Sequence, residues 1–240
     1  MFIYQLIHSG FSPKEVLLLL LLYFLVLSLA FGFHEFMHAF VAYKLGDDTP
    51  MNMGRVTLNP LAHIDIMGMI MLVLMGFGWG KPVSWRVDRV TKCKPKTAII
   101  LVSLAGVTGN FILAIFGEIL GTLFGFVIGT EVMWRPLIST FFYLFVEVNL
   151  ALLAFNLLPI PPLDGFQFIN ELLPLKLRFS DGYKKFVAYS PMILMAVILI
   201  GSFANISILS WLIGVIQIPF RFVLSLVGTL IATLMIRIMG

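Results

Sequence analysis

An unbroken apolar run near the start of the chain is the feature that most restricts its fold. Residues 16–33 read VLLLLLLYFLVLSLAFGF, 18 residues without a charge. A helix of this length can cross the hydrocarbon core of a bilayer. Ser12 and Pro13 are typical of a helix start, and Lys44-Leu45-Gly46 is typical of a helix end. The sequence therefore predicts a membrane-spanning helix from Pro13 to Leu45.

The composition of the whole chain is that of a membrane protein. Of its 240 residues, 60% are hydrophobic and 12% are charged, whereas soluble domains carry about 25% charged residues. The formal net charge is +4. The basic residues lie beside apolar runs, so we expect them to set membrane topology and not to bind nucleic acid. The single cysteine, Cys93, excludes an intramolecular disulfide.

Later parts of the chain predict further membrane segments. Residues 66–77 are apolar but too short to cross, which favours a re-entrant or interfacial segment. Short strands are expected at 54–58 and 80–87. Further spans are expected at 97–130, 137–158 and 186–203, followed by an interruption at 217–221 and a last span near 220–238.

The predicted fold class is therefore an all-α polytopic membrane protein. It would contain about five to six transmembrane helices, a re-entrant segment and short membrane-associated β strands. We expect a single domain over residues 1–240, with its core at 13–165 and its C-terminal helices at 186–240. Glycines spaced four residues apart would let a neighbouring helix approach the 97–130 span closely. These are Gly117, Gly121, Gly125 and Gly129.

The end of the first span carries the pattern H-E-x-x-H, formed by His34-Glu35-Phe36-Met37-His38. Residues i and i+4 share one helix face, so both imidazoles can reach one zinc ion. Glu35 is placed to deprotonate a metal-bound water. The alternative is a helix-end cluster near the headgroups, with each histidine hydrogen-bonded to a neighbour. Polar groups at this depth are costly in lipid, which favours a functional role.

A catalytic zinc site needs a third protein ligand. Depth favours Asp164, because the hairpin of the two following spans returns the chain to the same membrane side. The proline-rich segment before it, residues 156–163, can place irregular backbone in a protein-lined cavity. The alternative is that Asp164 caps the next helix. The other candidates are His63, Asp65, Asp47, Asp48 and Glu147.

The charge distribution predicts the orientation. The connector at 44–97 holds eight Lys or Arg residues, and the connector at 130–136 holds one. The positive-inside rule places the first connector, and with it the H-E-x-x-H turn, toward the cytosol.

Several segments together resemble the site-2 protease family of intramembrane zinc metalloproteases. They are HEFMH at 34–38, GRVTLNPLAHID at 54–65, GFGWGKPV at 76–83, SLAGVTGN at 103–110 and FNLLPIPPLDG at 155–165. The resemblance implies one zinc ion held by His34, His38 and Asp164, with Glu35 as general base. It also implies a compact prokaryotic type without a PDZ or CBS domain, in a plasma membrane.

Some polar residues keep two interpretations. In the resemblance, Asn156 would bond to the substrate or to the developing oxyanion, and otherwise it forms a helix-bundle hydrogen bond. His63 either assists the metal or orders its loop, and the second is favoured. Glu118 and Glu147 either mark a proton or water path or are protonated carboxyls bonded to a neighbouring helix.

The predicted activity is hydrolysis of a peptide bond in a transmembrane segment of another membrane protein, near the cytosolic side. The expected partners are that substrate, the lipid bilayer and a regulatory membrane protein. The alternative function is a non-catalytic membrane scaffold, or a metal transporter, that retains a structural zinc site. Glu35 argues against both alternatives, because neither needs a base beside the ligands.

Overall fold

A computed structural model describes residues 12–75, 78–204 and 208–239. Within these residues the chain forms helices and no strands. Residues 76 and 77 of the GFGWGKPV segment lie outside the described residues. The helices are α1 Pro13–Lys44, α2 Thr49–Asn52, α3 Ile66–Met75, α4 Pro95–Val127, α5 Arg135–Asn156, α6 Asp164–Leu172, α7 Leu175–Arg178, α8 Asp181–Ala204 and α9 Ile208–Met239. Two short 3-10 turns lie at Pro60–Ala62 and Val87–Arg89.

Five of these helices are long and apolar enough to cross a membrane. This confirms the all-α polytopic class. The apolar stretches are Pro13–Lys44, Pro95–Val127, Arg135–Asn156, Asp181–Gly201 and Leu209–Met239. Helix α1 begins as predicted, because the Ser12 and Glu15 side chains each bond to the other's backbone N–H in a capping box.

The short strands predicted at 54–58 and 80–87 are wrong. Residues 54–58 form turns and bends, beginning with Gly54 at a φ of +68°. The later segment is extended, but its backbone N–H groups bond to a loop carbonyl and to a carboxylate of α1 and not to a second strand. Lys81 N donates to His63 O at 2.7 Å, and Val83 N donates to Glu35 Oε2 at 3.1 Å.

The interruption predicted at 217–221 is also absent. Helix α9 continues through Pro219. Its Phe220 and Leu224 pack against α4 and α5, and this packing overrides the local preference of proline to end a helix. By contrast, α3 has only 10 residues, about 15 Å of helix, so it is too short to cross a bilayer, as predicted.

Helix α4 is the central element, since it contacts α1, α5, α6 and α9. Two of the four predicted glycines, Gly117 and Gly121, allow α5 to pack closely against α4. A Cβ on Gly117 would lie 2.8 Å from the Phe145 ring, and one on Gly121 would lie 3.0 Å from Phe142, both on α5. A Cβ on Gly125 or Gly129 would meet no atom of the described residues within 4 Å.

The direction of α9 follows from its contacts with α4. Phe220 packs on Phe111 with ring centroids 5.0 Å apart, and further along both helices Gly228 lies against Glu118. Helix α9 is therefore parallel to α4. It begins at the end of the bundle where α4 begins and α5 ends, and the H-E-x-x-H turn of α1 lies at this same end.

Helix α8 also packs at that end of the bundle. The Tyr183 hydroxyl donates to Asn170 Oδ1 of α6 at 2.6 Å. Its Leu194 and Ile198 share an apolar cluster with Leu158 and with Leu209 of α9. Helix α8 thus fills the space between the end of α5 and the start of α9.

Candidate metal centre

Two imidazoles and one carboxylate meet where α1, α4 and α6 converge. The Nε2 atoms of His34 and His38 lie 3.0 Å apart. Asp164 Oδ2 lies 3.2 Å from each of them. The three residues form a group that could hold a metal ion. Hereafter this group, His34, His38 and Asp164, is called the triad.

The local sequence explains how the carboxylate reaches the histidines. Helix α5 ends at Asn156, and the turn at 157–163 brings the chain back so that α6 begins at Asp164. A Cβ on Gly165 would lie 2.9 Å from the Cα of Leu157, so this turn needs glycine. Leu163 occupies the N-cap position and makes no side-chain cap bond. Asp164 is thus the first residue of α6 and not its N-cap. Its carboxylate faces the two imidazoles.

The second nitrogen of each imidazole faces an oxygen. His34 Nδ1 lies 2.7 Å from Asn110 Oδ1, and His38 Nδ1 lies 2.7 Å from the Val102 carbonyl. The Asn110 amide is oriented by its own bonds, since its Nδ2 donates to Asn149 Oδ1 at 2.9 Å and to the Ala30 carbonyl at 3.3 Å. Both Nδ1 atoms therefore carry the proton in neutral imidazoles, and both Nε2 atoms present a lone pair.

This arrangement fits a zinc ion. The Nε2 lone pairs and a carboxylate oxygen converge on one point, where only a cation offsets their mutual repulsion. Asp164 Oδ2 is buried and has no hydrogen-bond donor within the described residues. Two ligand atoms on a tetrahedral zinc lie about 3.3 Å apart, close to the observed 3.0 and 3.2 Å.

A glycine of α4 makes room for the triad. A Cβ on Gly106 would lie 2.6 Å from His34 Nε2 and would also overlap the His38 ring. The absence of a side chain there lets α4 approach α1 closely enough for Val102 to accept from His38. Gly106 belongs to the SLAGVTGN segment that carries part of the family resemblance.

Glu35 lies beside the triad but is not part of it. It is half-buried on α1, and its Oε2 accepts from Val83 N of the extended segment. Gly80 of the same segment passes close to Glu35, since a Cβ there would lie 3.9 Å from Glu35 Cγ. The carboxylate is thus held by one backbone N–H.

A cavity of about 1,100 Å³ joins Glu35 and the triad. Most of its wall is apolar and comes from α1, α5, α8 and α9. Asn156 is part of this wall, and its Nδ2 donates to the Leu152 carbonyl of its own helix at 3.0 Å. The cavity is large enough for several residues of a peptide.

The other candidate ligands are engaged elsewhere. His63 is fully buried and bonds through Nε2 to the Thr57 carbonyl at 3.0 Å, which confirms its role in ordering the loop. Burial also lowers the pKa of His63.

The aspartates of the 44–97 connector are also engaged outside the triad. Asp47 accepts from the backbone N–H groups of Thr49 and Arg86. Asp65 accepts from Gly68 N at the start of α3. Asp48 lies at the N-cap of α2, outside the triad.

The two carboxylates within the spans have different surroundings. Glu147 forms a two-pronged ion pair with Arg221 of α9, with both N–O distances at 2.7 Å. It is therefore paired with a cation, and neither of the predicted roles describes it. Glu118 lies against Gly228 of α9, away from the cavity.

Sequence reasoning missed the residues that orient the histidines, namely Val102, Asn110 and the acceptor role of Asn149. A signal for Asn110 was present, because an amide within the apolar run 97–130 is costly in lipid and calls for a partner. The contribution of Val102 is a carbonyl oxygen, which every residue possesses, so the sequence holds no sign of it.

Comparison with known proteins agrees with this site. No family model matches the chain, and no solved structure matches it. The chain is 43% identical over 152 residues to a Bacillus subtilis (strain 168) protein named "Putative zinc metalloprotease YwhC", an overlap of 62% of this chain and 68% of the relative. It is 36% identical over 141 residues to "Putative zinc metalloprotease Rip2" of Mycolicibacterium smegmatis, covering 55% of this chain and 50% of the relative.

Rip2 of Mycobacterium tuberculosis is 32% identical over 148 residues, with 58% of this chain and 52% of the relative covered. The chain thus spans about half the length of the Rip2 relatives. The broader overlap with YwhC, together with zinc as the cofactor implied for the triad, leads to one conclusion: the chain belongs to the zinc metalloprotease family represented by YwhC and Rip2.

Proposed function

We propose that this chain is an intramembrane endopeptidase of the site-2 protease type. It hydrolyses a peptide bond in a transmembrane segment of another membrane protein. The observation that carries the proposal is the position of the triad and Glu35 on the wall of one largely apolar cavity, within a bundle of membrane-type helices.

The residues divide the chemistry between them. His34, His38 and Asp164 would hold zinc, which when bound acts as a Lewis acid on the scissile carbonyl and on water. Glu35 takes a proton from the attacking water and then passes it to the leaving amine. The single backbone N–H from Val83 keeps the Glu35 carboxylate oriented while leaving its other oxygen available.

A substrate helix must unwind before its carbonyls can be attacked, since they are otherwise engaged in hydrogen bonds within the helix. The extended segment at 80–86 lies beside Glu35 and would hold the unwound peptide by β-pairing. Asn156, which also lines the cavity, would bond to the substrate near the reacting carbonyl.

The orientation follows from charge. The connector at 44–97, with eight Lys or Arg residues, lies at the end of the bundle that carries the triad, so cleavage takes place near the cytosolic face. The substrate is a membrane protein already trimmed by another enzyme, and a regulatory membrane protein is a further partner. The membrane is the plasma membrane of a prokaryote.

The test uses purified protein in lipid nanodiscs and a panel of single-span membrane proteins. Glu35→Gln should keep the metal content and fold of the wild type, since Glu35 is outside the triad. It should lose cleavage by a factor of about 10² to 10⁴ or more, because an amide cannot accept the proton of water. Zinc quantification and product analysis by mass spectrometry measure the two effects.

Glu118→Gln is the matched control, because it makes the same change in a carboxylate far from the cavity. This variant should cleave as the wild type does. Equal cleavage by Glu35→Gln and wild type, at equal zinc content, would remove Glu35 from the role of general base. No cleavage of any panel member by the zinc-loaded wild type, with the cellular role intact in Glu35→Gln, would end the protease proposal and favour a scaffold or a transporter.

A further inference from the structure

One buried hydroxyl near the triad has no partner in the part of the chain that the structure describes. Ser103 lies on α4 and is 2% exposed. Within the described residues its Oγ makes no hydrogen bond. Buried polar groups are nearly always paired, so an unpaired hydroxyl points to a ligand.

The other buried hydroxyls of the long helices show what Ser103 could have done. Ser28 donates to the Phe24 carbonyl at 2.8 Å, and Ser190 donates to the Phe186 carbonyl at 2.6 Å. On the same helix as Ser103, Thr108 donates to the Leu104 carbonyl at 2.8 Å. This bond to the carbonyl four residues earlier is the usual way to satisfy a hydroxyl in a membrane helix. Ser103 does not form it.

The position of Ser103 places it in the candidate active site. The preceding residue, Val102, accepts from His38, and Gly106, one helical turn later, lies against both imidazoles. Ser103 is one of the residues that line the 1,100 Å³ cavity, together with Glu35 and Asp164.

The chemistry around the triad leaves a role for a hydrogen-bond donor. The Nδ1–H groups of His34 and His38 are committed to Asn110 and Val102. Glu35 and Asp164 offer carboxylate oxygens, which are hydrogen-bond acceptors. An unwound peptide brings backbone carbonyls into the cavity, and each needs a donor to replace its lost helical bond. The Ser103 O–H is such a donor.

We propose that Ser103 is a substrate-binding residue whose hydroxyl donates a hydrogen bond to a backbone carbonyl of the unwound peptide. The proposal rests on the proposed function of the same cavity. It requires no contact between Ser103 and the metal. The ligand class is an extended peptide backbone, and the contact is independent of the substrate side chains.

The test measures binding separately from cleavage. The probe is a dye-labelled single-span peptide of about 20 apolar residues with a central helix-breaking Gly-Pro pair. Its affinity for zinc-loaded protein in nanodiscs is measured by fluorescence anisotropy in the Glu35→Gln background, where the peptide stays uncut. Ser103→Ala should weaken binding about five- to tenfold, the value of one neutral hydrogen bond in a dry site. Ser103→Cys, a weaker donor of similar size, should fall between.

Ser28→Ala is the matched control, because it removes a buried serine hydroxyl that already bonds to its own helix. It should bind the peptide as the parent protein does. The zinc content of every variant is measured, and Ser103→Ala should retain one zinc per chain.

Each remaining outcome decides the proposal. Unchanged affinity in Ser103→Ala would overturn it, and loss of zinc would overturn it in favour of a role in supporting the triad. Failure of the parent protein to bind the peptide would overturn it as well. The proposed function would fail separately if the peptide bound with an affinity that depends on Ser103 but the wild type did not cut it.

Discussion

The hydrogen bond between His34 Nδ1 and Asn110 Oδ1, 2.7 Å long, determines which nitrogen of His34 faces the metal position. Asn110 in turn is held by Asn149 and by the Ala30 carbonyl. A chain of amides that starts on α5 and passes through α4 therefore fixes the tautomer and the ring orientation of a residue on α1. Residues that hydrogen-bond to metal ligands in this way commonly raise metal affinity by a factor of about 10 to 100.

Replacement of Asn110 should therefore weaken zinc binding without removing a ligand. Asn110→Leu keeps the approximate volume but removes the acceptor for Nδ1–H. We expect zinc affinity to fall about 10- to 100-fold, measured by competition with a fluorescent chelator. Asn110→Asp retains an acceptor oxygen and should bind zinc more tightly than Asn110→Leu. Equal zinc affinity in Asn110→Leu and wild type would show that the tautomer is set by something else.

Removal of any member of the triad should abolish stoichiometric zinc. Purified wild type is expected to hold one zinc per chain, and His34→Ala, His38→Ala and Asp164→Ala should each lose most of it, because two ligands are too few for a stable site. Elemental analysis provides the measurement. His63→Ala is the control, since His63 bonds to Thr57 outside the triad. Full zinc retention by Asp164→Ala would remove Asp164 from the ligand set.

A single methyl group on α4 should disrupt the same site. Gly106→Ala would place its Cβ within contact of both imidazoles, so α4 and α1 must separate and the triad must open. We expect a large loss of zinc and a lower thermal unfolding midpoint. On the same helix, the Cβ of Gly125→Ala would meet no described atom within 4 Å, so this variant should keep zinc and be as stable as wild type, or slightly more so. Normal zinc content in Gly106→Ala would contradict the observed close approach.

The parallel packing of α4 and α9 predicts the side of the membrane on which α9 ends. Cys93 precedes α4 on the cationic side, so it should resist a cell-impermeant thiol reagent in intact cells and react after lysis. Met239 ends α9 and is 62% exposed. In a Cys93→Ser background, Met239→Cys should react in intact cells, because α9 runs in the same direction as α4. Labelling of both positions from the same side would mean that α9 crosses in the opposite direction.

Much of this protein could be predicted from its sequence, and the reason is physical. Lipid admits few backbone structures, so the long apolar runs had to be helices, and α1 was predicted to within one residue at its end. The H-E-x-x-H spacing places His34 and His38 on one face of any helix. These conclusions depend on contacts within a few residues along the chain.

The tertiary structure decided what depends on contacts between distant segments. The 80–87 segment contains residues that favour strands, yet its N–H groups found His63 and Glu35 as acceptors instead of a second strand. Pro219 remained within α9 because α4 and α5 pack around it. Charge pairing of Glu147 required Arg221, 74 positions away.

The same distinction holds for the candidate site. The sequence by itself determined that two histidines and a glutamate share a helix end in the membrane, because helical periodicity is a local property. Only the tertiary structure brought Asp164 to within 3.2 Å of both imidazoles and showed that Val102, Gly106 and Asn110 of α4 orient and admit them. These relationships arise from the close packing of α1 against α4, and no spacing within the sequence encodes that distance.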